Sequence, residues 1–460
     1  MIAGRQPTVR LPEPGAFRRG VLAQVLERVD ASFRRGPPEP VGFLEAVRAV
    51  IVVASASRSG SSLFVELLKG AGGLLHLSGE LNPFLRLAGL GWPDSGCDSD
   101  TLHAAHCTDA ALRILRQHLA AEVGFIGDEI DPVAPLDDVF LERLYRRLCL
   151  QWPYEAFAID SVRRSARCAV GAVASTTGRP LDWTRDLSSF HLFLLAELRT
   201  AHPTINPYYY DLDRSLIGRI WPDLPVPSGP PSPVVVEEPP FVLIHPWRRC
   251  SVADLRARAL VVKAPSNAYR PDFLRRLFPS ASFRTLHLTR NPAASINGIH
   301  DGWRHWGFHS HYIGSELRLR GYARPGEPDH GWWKFDLPPA WQAYREAPLE
   351  RVCGFQWCAA HQAILQRYAT EGGDRLRVRF EDVLTGFTAR PDDLHILRAW
   401  VGDDGLLARG LGGVQPVMST QPPRAGRWRE KTALLRGVLN EEAVRQMALQ
   451  LGYEDEAEWI

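Results

Sequence analysis

The sequence has little lysine and no paired cysteines. Only Lys69, Lys263, Lys334 and Lys431 are lysines among the 54 basic residues, and the rest are arginine. Such usage is typical of a high-GC coding bias, so the arginine content alone indicates no function. Because lysine is rare in this chain, each of the four lysines is a stronger candidate for a specific role. The seven cysteines are scattered, and an odd number without regular spacing is typical of reduced thiols in a cytosol.

The chain also lacks a long apolar run. No stretch approaches the roughly 18 apolar residues of a membrane span, and Arg5, Arg10, Arg18 and Arg19 interrupt the N-terminal region, where a secretory signal would be apolar. The net charge of +2 is too small to indicate a nucleic-acid or membrane-surface partner. We therefore expect a cytoplasmic protein with soluble partners, and the oligomeric state stays open.

Hydrophobic patterns predict an α/β organisation. A β-branched run at 49–54 is typical of a buried parallel strand, and further strands are predicted at 259–263, 283–289 and 375–380. Predicted helices cover 21–33, 61–69, 108–123, 136–150, 190–201, 271–278, 350–369 and 391–401. We expect a three-layer sandwich with a central, mainly parallel sheet and a large helical insertion.

The expected segments follow from these patterns. They are an N-terminal arm (1–48), a first part of the α/β domain (49–94), a mostly helical insertion (95–258) with a proline-rich linker (222–240), and a second part of the domain (259–460). Residues 303–344 are rich in aromatic side chains, glycine and histidine. This stretch is either core or a lid over an acceptor, because aromatic faces suit sugar or ring substrates.

A loop of small residues follows the first predicted strand. Ser55 to Gly60 allow the backbone amides to approach an anion, and the next helix supplies the positive end of its dipole. Arg58 adds a full charge, and Ser61 and Ser62 add hydroxyl donors. A nucleoside triphosphatase loop would place lysine after Gly60, where Ser61 stands, and no convincing magnesium-holding aspartate follows a strand. The loop therefore suits an anion other than Mg-ATP, and the alternative is a serine-rich helix cap.

The stretch Arg58–Phe64 resembles the 5'-phosphosulfate-binding loop of sulfotransferases that use 3'-phosphoadenosine 5'-phosphosulfate (PAPS). It has the arginine-containing form of carbohydrate and many bacterial members. Residues 261–299, 379–384 and 426–453 resemble three later motifs of the family, in the family's order. The resemblance implies a P-loop-like sulfotransferase fold and sulfuryl transfer from PAPS to a hydroxyl or amine of a small-molecule or glycan acceptor. It also implies adenosine 3',5'-bisphosphate as product and no required metal.

The resemblance also implies the residues of the donor site. Arg290 ends a predicted strand where the family binds the 3'-phosphate, but Gly298 stands where the family has a serine eight positions later. Ser295 and Asn297 on the same helix are candidate substitutes. The residues expected to bind the 5'-phosphosulfate are Arg58, Ser61 and Ser62 with the amides of Ser59 and Gly60, and those expected to close the site are Arg427, Trp428 and Lys431.

Acceptor activation needs a general base. Glu80 follows the first helix in a loop, where similar bacterial sulfotransferases place a glutamate base, and burial in a partly apolar pocket would raise its pKa toward working pH. His76 is the rival base, since other branches of the family use histidine. Lys263, at a strand end, is expected to steady the bridging oxygen or the sulfate. An ordinary loop glutamate and strand-end lysine are the alternatives.

Two other interpretations stay open. His300, His305, His309 and His311 cluster without a matching carboxylate or cysteine, so acceptor-pocket lining or a solvated loop is favoured over a metal site. For the whole chain, the rival functions are a nucleotide kinase or other phosphoryl transferase on a related scaffold, and a catalytically silent nucleotide-binding module, which Gly298 keeps open.

Overall fold

The computed structural model describes most of the chain. The described residues are 14–33, 42–126, 133, 136–323, 331–368, 374–406, 417–421, 424–456 and 459. Residues 1–13 and 34–41 of the predicted N-terminal arm, 324–330 of the predicted lid and 369 of a predicted helix lie outside them. None of the helices in the described part has the length and apolar composition that a membrane crossing requires.

A central sheet of parallel strands organises the fold. The strands are β1 (Ala49–Ala54), β2 (Leu74–Leu75), β3 (Gly124–Phe125), β4 (Arg248–Arg249), β5 (Ala259–Lys263), β6 (Ser282–Thr289), β7 (His309–Tyr312), β8 (Trp332–Lys334) and β9 (Asp374–Arg379). The central sheet has the order β2-β5-β1-β6-β9 with all neighbours parallel, while β3-β4 and β7-β8 form antiparallel pairs. The predicted central parallel sheet is therefore confirmed, and β1 and β5 have the predicted bounds.

Strand β1 shows why the sheet is covered on both faces. Val50 and Val52 belong to one apolar core, and Ile51 and Val53 belong to a second core that includes Phe64. Because successive side chains of a strand point to opposite faces, this alternation requires a packed layer on each side. The predicted three-layer arrangement follows from it.

Helices supply both outer layers. They are α1 (Pro14–Phe33), α2 (Phe43–Ala46), α3 (Ser61–Leu68), α4 (Asn82–Leu87), α5 (Asp109–Glu122), α6 (Asp138–Gln151), α7 (Ile159–Thr177), α8 (Trp183–Ala201), α9 (Arg214–Ile220), α10 (Val252–Ala257), α11 (Pro271–Leu277), α12 (Pro292–Trp303), α13 (Leu349–Arg367), α14 (Phe380–Leu384), α15 (Pro391–Val401), α16 (Thr432–Leu439) and α17 (Glu442–Gln450). No helix or strand occupies the proline-rich residues 222–240. The division of the chain into segments stays a prediction.

Several helices differ from the sequence prediction, among them α1, α7 and α8, which begins at Trp183 rather than at residue 190. Helix α1 begins at Pro14 rather than at residue 21, because residues 15–20 are not buried and so give no apolar pattern; Arg18 among them pairs with Asp94 at 2.6 Å. Helix α7 was not predicted, since its buried face consists of small or β-branched residues: Val162, Ala166, Ala169 and Val173. Such a face gives a weak apolar pattern.

The carboxyl ends of three adjacent strands meet at one edge of the sheet. Strand β1 leads into the serine-rich loop, β5 ends at Lys263, and β6 is followed by Arg290. Ligands of open parallel sheets bind outside this edge. The fold therefore brings the predicted loop, the strand-end lysine and the distant arginine to one place.

The aromatic stretch mainly fills the core. Trp303, Trp333 and Trp341 are buried in the larger apolar core. Phe308 and Phe335 belong to the same core and also line the cavity described below. For most of these aromatic residues the core interpretation is therefore the correct one, and an acceptor-facing role is left to the two phenylalanines.

Candidate functional site

A cavity of about 570 Å³ opens at the carboxyl edge of the sheet. This volume is in the usual range for a small-molecule or cofactor site. The predicted site residues that line it are Arg58, Gly60, Ser61, Ser62, His76, Glu80, Lys263, Arg290, Asn297, Gly298, Arg427 and Trp428. Ser59, Ser295 and Lys431 do not line it. Ten of these twelve residues come from three of the four motifs, and His76 and Glu80 come from the segment between α3 and α4.

The serine-rich loop has a backbone conformation that few residue types adopt. Gly60 has φ +88°, and a Cβ atom there would lie 2.3 Å from the Phe380 ring. Arg58 itself adopts φ 61°, a left-handed conformation that non-glycine residues seldom take outside functional sites. Helix α3 starts directly afterwards at Ser61, and no side chain caps it. Its first amides are therefore available to an anion in the cavity.

Arg58 and Arg290 lie next to each other. The Nη1 atom of Arg290 donates a hydrogen bond to the backbone carbonyl of Arg58 at 3.3 Å. Burial, then repulsion by Arg290 and Arg427, lowers the pKa of Arg58 to about 10, and burial also lowers the pKa of Arg290. A bound anion would relieve this clustering of buried positive charge.

Helix α12 passes directly under the loop at Gly298. A Cβ atom at this position would lie 3.2 Å from the Cβ of Arg58 and 3.7 Å from its carbonyl oxygen. The missing serine therefore has a physical reason, because the Arg58 backbone and side chain occupy the space that a larger residue would need. This close approach joins α12 to the loop after β1.

Of the two expected substitutes for the serine, only Asn297 reaches the cavity. Its side chain is buried, and its Oδ1 atom has no hydrogen-bond partner among the described residues. Ser295 is buried as well, but it does not line the cavity. Residues two apart on a helix point in different directions, so one helix face cannot present both.

Lys263 connects the loop with the predicted base. Its Nζ atom donates to Ser62 Oγ at 3.0 Å and also to Glu80 Oε1, with which it forms an ion pair. The other carboxylate oxygen of Glu80 accepts from Asn82 Nδ2 at 3.4 Å. The carboxylate thus lies beside a cation and an amide, in a pocket that we predicted to be partly apolar.

His76 is a poor proton acceptor in this position. Its ring is buried, and neither nitrogen has a hydrogen-bond partner in the described part of the chain. Burial, and to a smaller extent the charge of Lys69, lowers its pKa to about 3. Since a general base works best with a pKa near the operating pH, the geometry favours Glu80 over His76.

The two predicted cations of the C-terminal motif both pair with Asp301, and one of them also lines the cavity. Arg427 pairs with Asp301 at 2.8 Å and also lines the cavity, as does the buried indole of Trp428. Lys431 also pairs with Asp301, away from the cavity. Arg427 is therefore the better placed of the two predicted cations.

Some cavity residues belong to no motif that we recognised. The carbonyl of Met418 accepts a hydrogen bond from Arg58 Nη1 at 2.8 Å, and the amide of Met418 donates to Asp211 Oδ2 at 2.6 Å. Asp336 accepts from Ser57 Oγ at 2.7 Å, and burial raises its pKa to about 6. No local sequence pattern marks Met418, Asp211 or Asp336, because each contact joins distant parts of the chain.

The four clustered histidines are buried rather than solvated. His305 Nε2 lies 2.7 Å from Arg214 Nη2, and His311 Nε2 lies 3.4 Å from Asp100 Oδ2. Only His311 of the four lines the cavity. Across the described ranges, no group of three or more histidine, cysteine, aspartate or glutamate side chains is arranged to hold a metal ion.

Comparisons with known proteins give a partial structural likeness. No protein-family model and no curated protein sequence matches the chain. Among solved structures, the chain is similar to the sulfotransferase domain from the curacin biosynthetic pathway, with 13% sequence identity and a TM-score of 0.34. The match covers 89% of this chain and 99% of that chain. A TM-score this low carries no argument, so function must be argued from the chain's own residues.

Proposed function

We propose that this chain is a sulfotransferase that moves a sulfuryl group from PAPS to a hydroxyl or amine of a small-molecule or glycan acceptor. The observation that carries the proposal is the joint position of Arg58 and Arg290 at one cavity, 3.3 Å apart from side chain to backbone. A nucleotide with phosphates at two positions of its ribose needs two such cationic groups in reach of each other.

The cavity fits such a donor in three independent respects. The uncapped start of α3 and the left-handed loop offer amides for the 5'-phosphosulfate. Arg290 offers a guanidinium for the 3'-phosphate, and the side chain of Asn297, whose amide nitrogen can donate, lines the same cavity. The buried indole of Trp428 and the ring of Phe308 offer apolar faces. Arg58, Ser61 and Ser62 remain the proposed 5' ligands.

The proposed reaction is an in-line displacement. The acceptor oxygen attacks sulfur while the bond from sulfur to the 5'-phosphate oxygen breaks, and adenosine 3',5'-bisphosphate leaves. Glu80 takes the acceptor proton. Lys263, which lies beside Ser62, donates a hydrogen bond to the 5'-phosphate oxygen on which negative charge develops as the bond to sulfur breaks. Positioning and electrostatics supply the catalysis, as in phosphoryl transfer.

The test compares two donors on the full chain. We would incubate the protein with PAPS carrying a radioactive sulfur label and, separately, with labelled Mg-ATP, each with a panel of phenols, alcohols, amines, sugars and cyclitols. We expect transfer from PAPS only, and its loss in the Arg58→Ala variant. A matched control, Arg345→Ala, changes an exposed arginine that pairs only with Glu316 among the groups described here.

Two results would overturn the proposal. Transfer from Mg-ATP but not from PAPS would make the chain a phosphoryl transferase. Binding of adenosine 3',5'-bisphosphate without turnover, both across the panel and in native extract, would make it a silent nucleotide-binding module.

A further inference from the structure

Beyond Glu80, the cavity wall carries buried polar atoms that make no hydrogen bond. They are Oγ of Ser78, Nε and Nη1 of Arg147 and Oε2 of Glu237, none of which has a hydrogen-bond partner among the described residues. All three residues line the cavity. A buried polar group that lacks a hydrogen bond costs about 1–3 kcal/mol. Three neighbouring residues that each lack one therefore indicate a place where a ligand or water completes the hydrogen bonding.

These atoms form one group. Arg147 Nη1 lies 3.5 Å from Glu237 Oε2, and Arg147 Nε lies 3.6 Å from Glu122 Oε1. The amide of Ser78 donates to the same Glu122 oxygen at 3.3 Å. The guanidinium, the two carboxylates and the serine are therefore contiguous.

Gly79 places this group next to the proposed base. A Cβ atom at Gly79 would lie 2.5 Å from Arg147 Nη2. The guanidinium thus lies directly against the backbone one residue before Glu80. Arg147 comes from α6, and Glu237 comes from the proline-rich linker. Neither belongs to the motifs that form the donor end of the cavity, which makes the group suited to selecting the acceptor.

The charges of the group restrict the ligand that it can bind. An ammonium group would meet Arg147, and a carboxylate or phosphate would meet Glu237, so a charged ligand is repelled from one side. An apolar ring would leave the polar atoms buried without partners. A hydroxyl group both donates and accepts, so it can donate to Glu237 and accept from Arg147 or Ser78.

We propose that Ser78, Arg147 and Glu237 form the acceptor subsite, and that it selects a neutral, polyhydroxylated acceptor such as a sugar or cyclitol ring. The inference rests on the proposed function, because it takes Glu80 as the neighbouring base. Burial, more than any charge, raises the pKa of Glu237 to about 7. The test is therefore run at about pH 8, where the ionised carboxylate accepts the ligand's hydroxyl proton.

The experiment measures binding rather than turnover. The full chain, saturated with adenosine 3',5'-bisphosphate, is mixed with methyl β-glucopyranoside, myo-inositol and phenol, and saturation transfer to each probe is recorded by NMR. The variants are Ser78→Ala, which leaves the ion pair intact, and Glu237→Gln. The control is Glu142→Gln, the same change in a neighbouring ion pair with Arg146 that does not line the cavity.

We expect saturation transfer to at least one polyol in the wild type. The transfer should weaken about fivefold or more in Ser78→Ala and in Glu237→Gln, which is the order expected from one lost hydrogen bond. It should be unchanged in Glu142→Gln. Preferential saturation of phenol, or polyol saturation equal in all variants, would overturn the subsite. A protein that binds the bisphosphate and sulfates only phenols would overturn this inference and leave the proposed function standing. A protein that does not bind the bisphosphate, yet holds polyols through Glu237, would contradict the proposed function alone.

Discussion

Arg290 donates a hydrogen bond from its guanidinium to the backbone carbonyl of Arg58, although 232 positions separate the two residues in the chain. The contact joins the end of β6 to the loop after β1, which are neighbours in the sheet. Burial, and then the nearby positive charges of Arg290 and Arg427, lower the pKa of Arg58 to about 10. Such an arrangement is stabilised by an anion that both side chains contact.

Gly60→Ala should abolish nucleotide binding. The substitution places a Cβ atom 2.3 Å from the Phe380 ring at a φ of +88°, so the loop must move. Backbone strain of this kind costs about 1–3 kcal/mol, and we expect the Kd for adenosine 3',5'-bisphosphate, measured by calorimetry, to rise beyond detection.

The control is Gly178→Ala, at φ +69° with no atom within 4 Å of the added Cβ. It imposes the backbone strain without the collision. We expect it to lower the unfolding temperature and to leave nucleotide binding unchanged. Normal binding by Gly60→Ala would show that the observed loop conformation is not needed.

Glu80→Gln should separate binding from chemistry. Because Glu80 is the proposed proton acceptor and, among the described residues, is linked to Ser62 through Lys263 alone, we expect kcat to fall about a hundredfold or more. The affinity for adenosine 3',5'-bisphosphate should stay within about twofold, well under the tenfold that corresponds to about 1.4 kcal/mol. The measurements are steady-state kinetics and calorimetry, with Glu45→Gln, which alters an ion pair with Arg116, as the control. A nearly normal kcat would move the base role away from Glu80.

Gly298→Ser should weaken nucleotide binding, although the family has serine here. The added Cβ would lie 3.2 Å from the Cβ of Arg58, so the loop arginine must shift. We expect a several-fold higher Kd for adenosine 3',5'-bisphosphate, on the order of 1 kcal/mol. Gly437→Ser, on a helix position with no atom within 4 Å, is the control. Tighter binding by Gly298→Ser would show that the serine hydroxyl outweighs the crowding.

Buried histidines should make the fold sensitive to acid. Burial lowers the pKa of His191 to about 4, and its Nε2 atom lies 2.8 Å from the carbonyl oxygen of Ile244. Between about pH 6.5 and 4 the unfolded chain binds this proton and the folded chain does not. Stability is therefore unaffected above about pH 6.5 and decreases as the pH falls through this window, by up to about 1.4 kcal/mol per pH unit for each such group.

Thermal unfolding between about pH 7.5 and pH 5 tests this prediction. We expect the unfolding temperature to fall below about pH 6.5, and to fall less steeply in His191→Gln, whose amide can still donate to the Ile244 carbonyl. His395→Gln, an exposed position, is the control. An unfolding temperature that stays constant or rises toward pH 5 would contradict the prediction.

The sequence was informative where local pattern and motif coincide. The run of Val50 to Val53 predicted β1 correctly, because a strand buried on both faces must be apolar throughout. Arg58, Lys263 and Arg290 each follow or end a predicted strand, and this position predicted that they lie close together, because the carboxyl ends of adjacent parallel strands meet at one edge of the sheet.

The remaining features depend on tertiary contacts. Asp336 reaches Ser57 across 279 positions, and Arg58 reaches Met418 across 360. Neither pair leaves a periodic or spaced pattern. The tight 3.2 Å contact that a Cβ at Gly298 would make with Arg58 likewise cannot be read from the sequence. The absence of the serine found in similar sulfotransferases was therefore visible in the sequence, but the contact beside it was not.

The most direct test of the central claim assigns each arginine to one phosphate. Adenosine 3',5'-bisphosphate and adenosine 5'-monophosphate are titrated into the wild type, Arg58→Ala and Arg290→Ala by calorimetry. We predict that the wild type prefers the bisphosphate by about tenfold or more, the order of one charge-assisted contact, that Arg58→Ala weakens both ligands and keeps this preference, and that Arg290→Ala loses it. A wild type without the preference, or an Arg290→Ala variant that retains it in full, would contradict the claim that the two arginines hold opposite ends of one nucleotide.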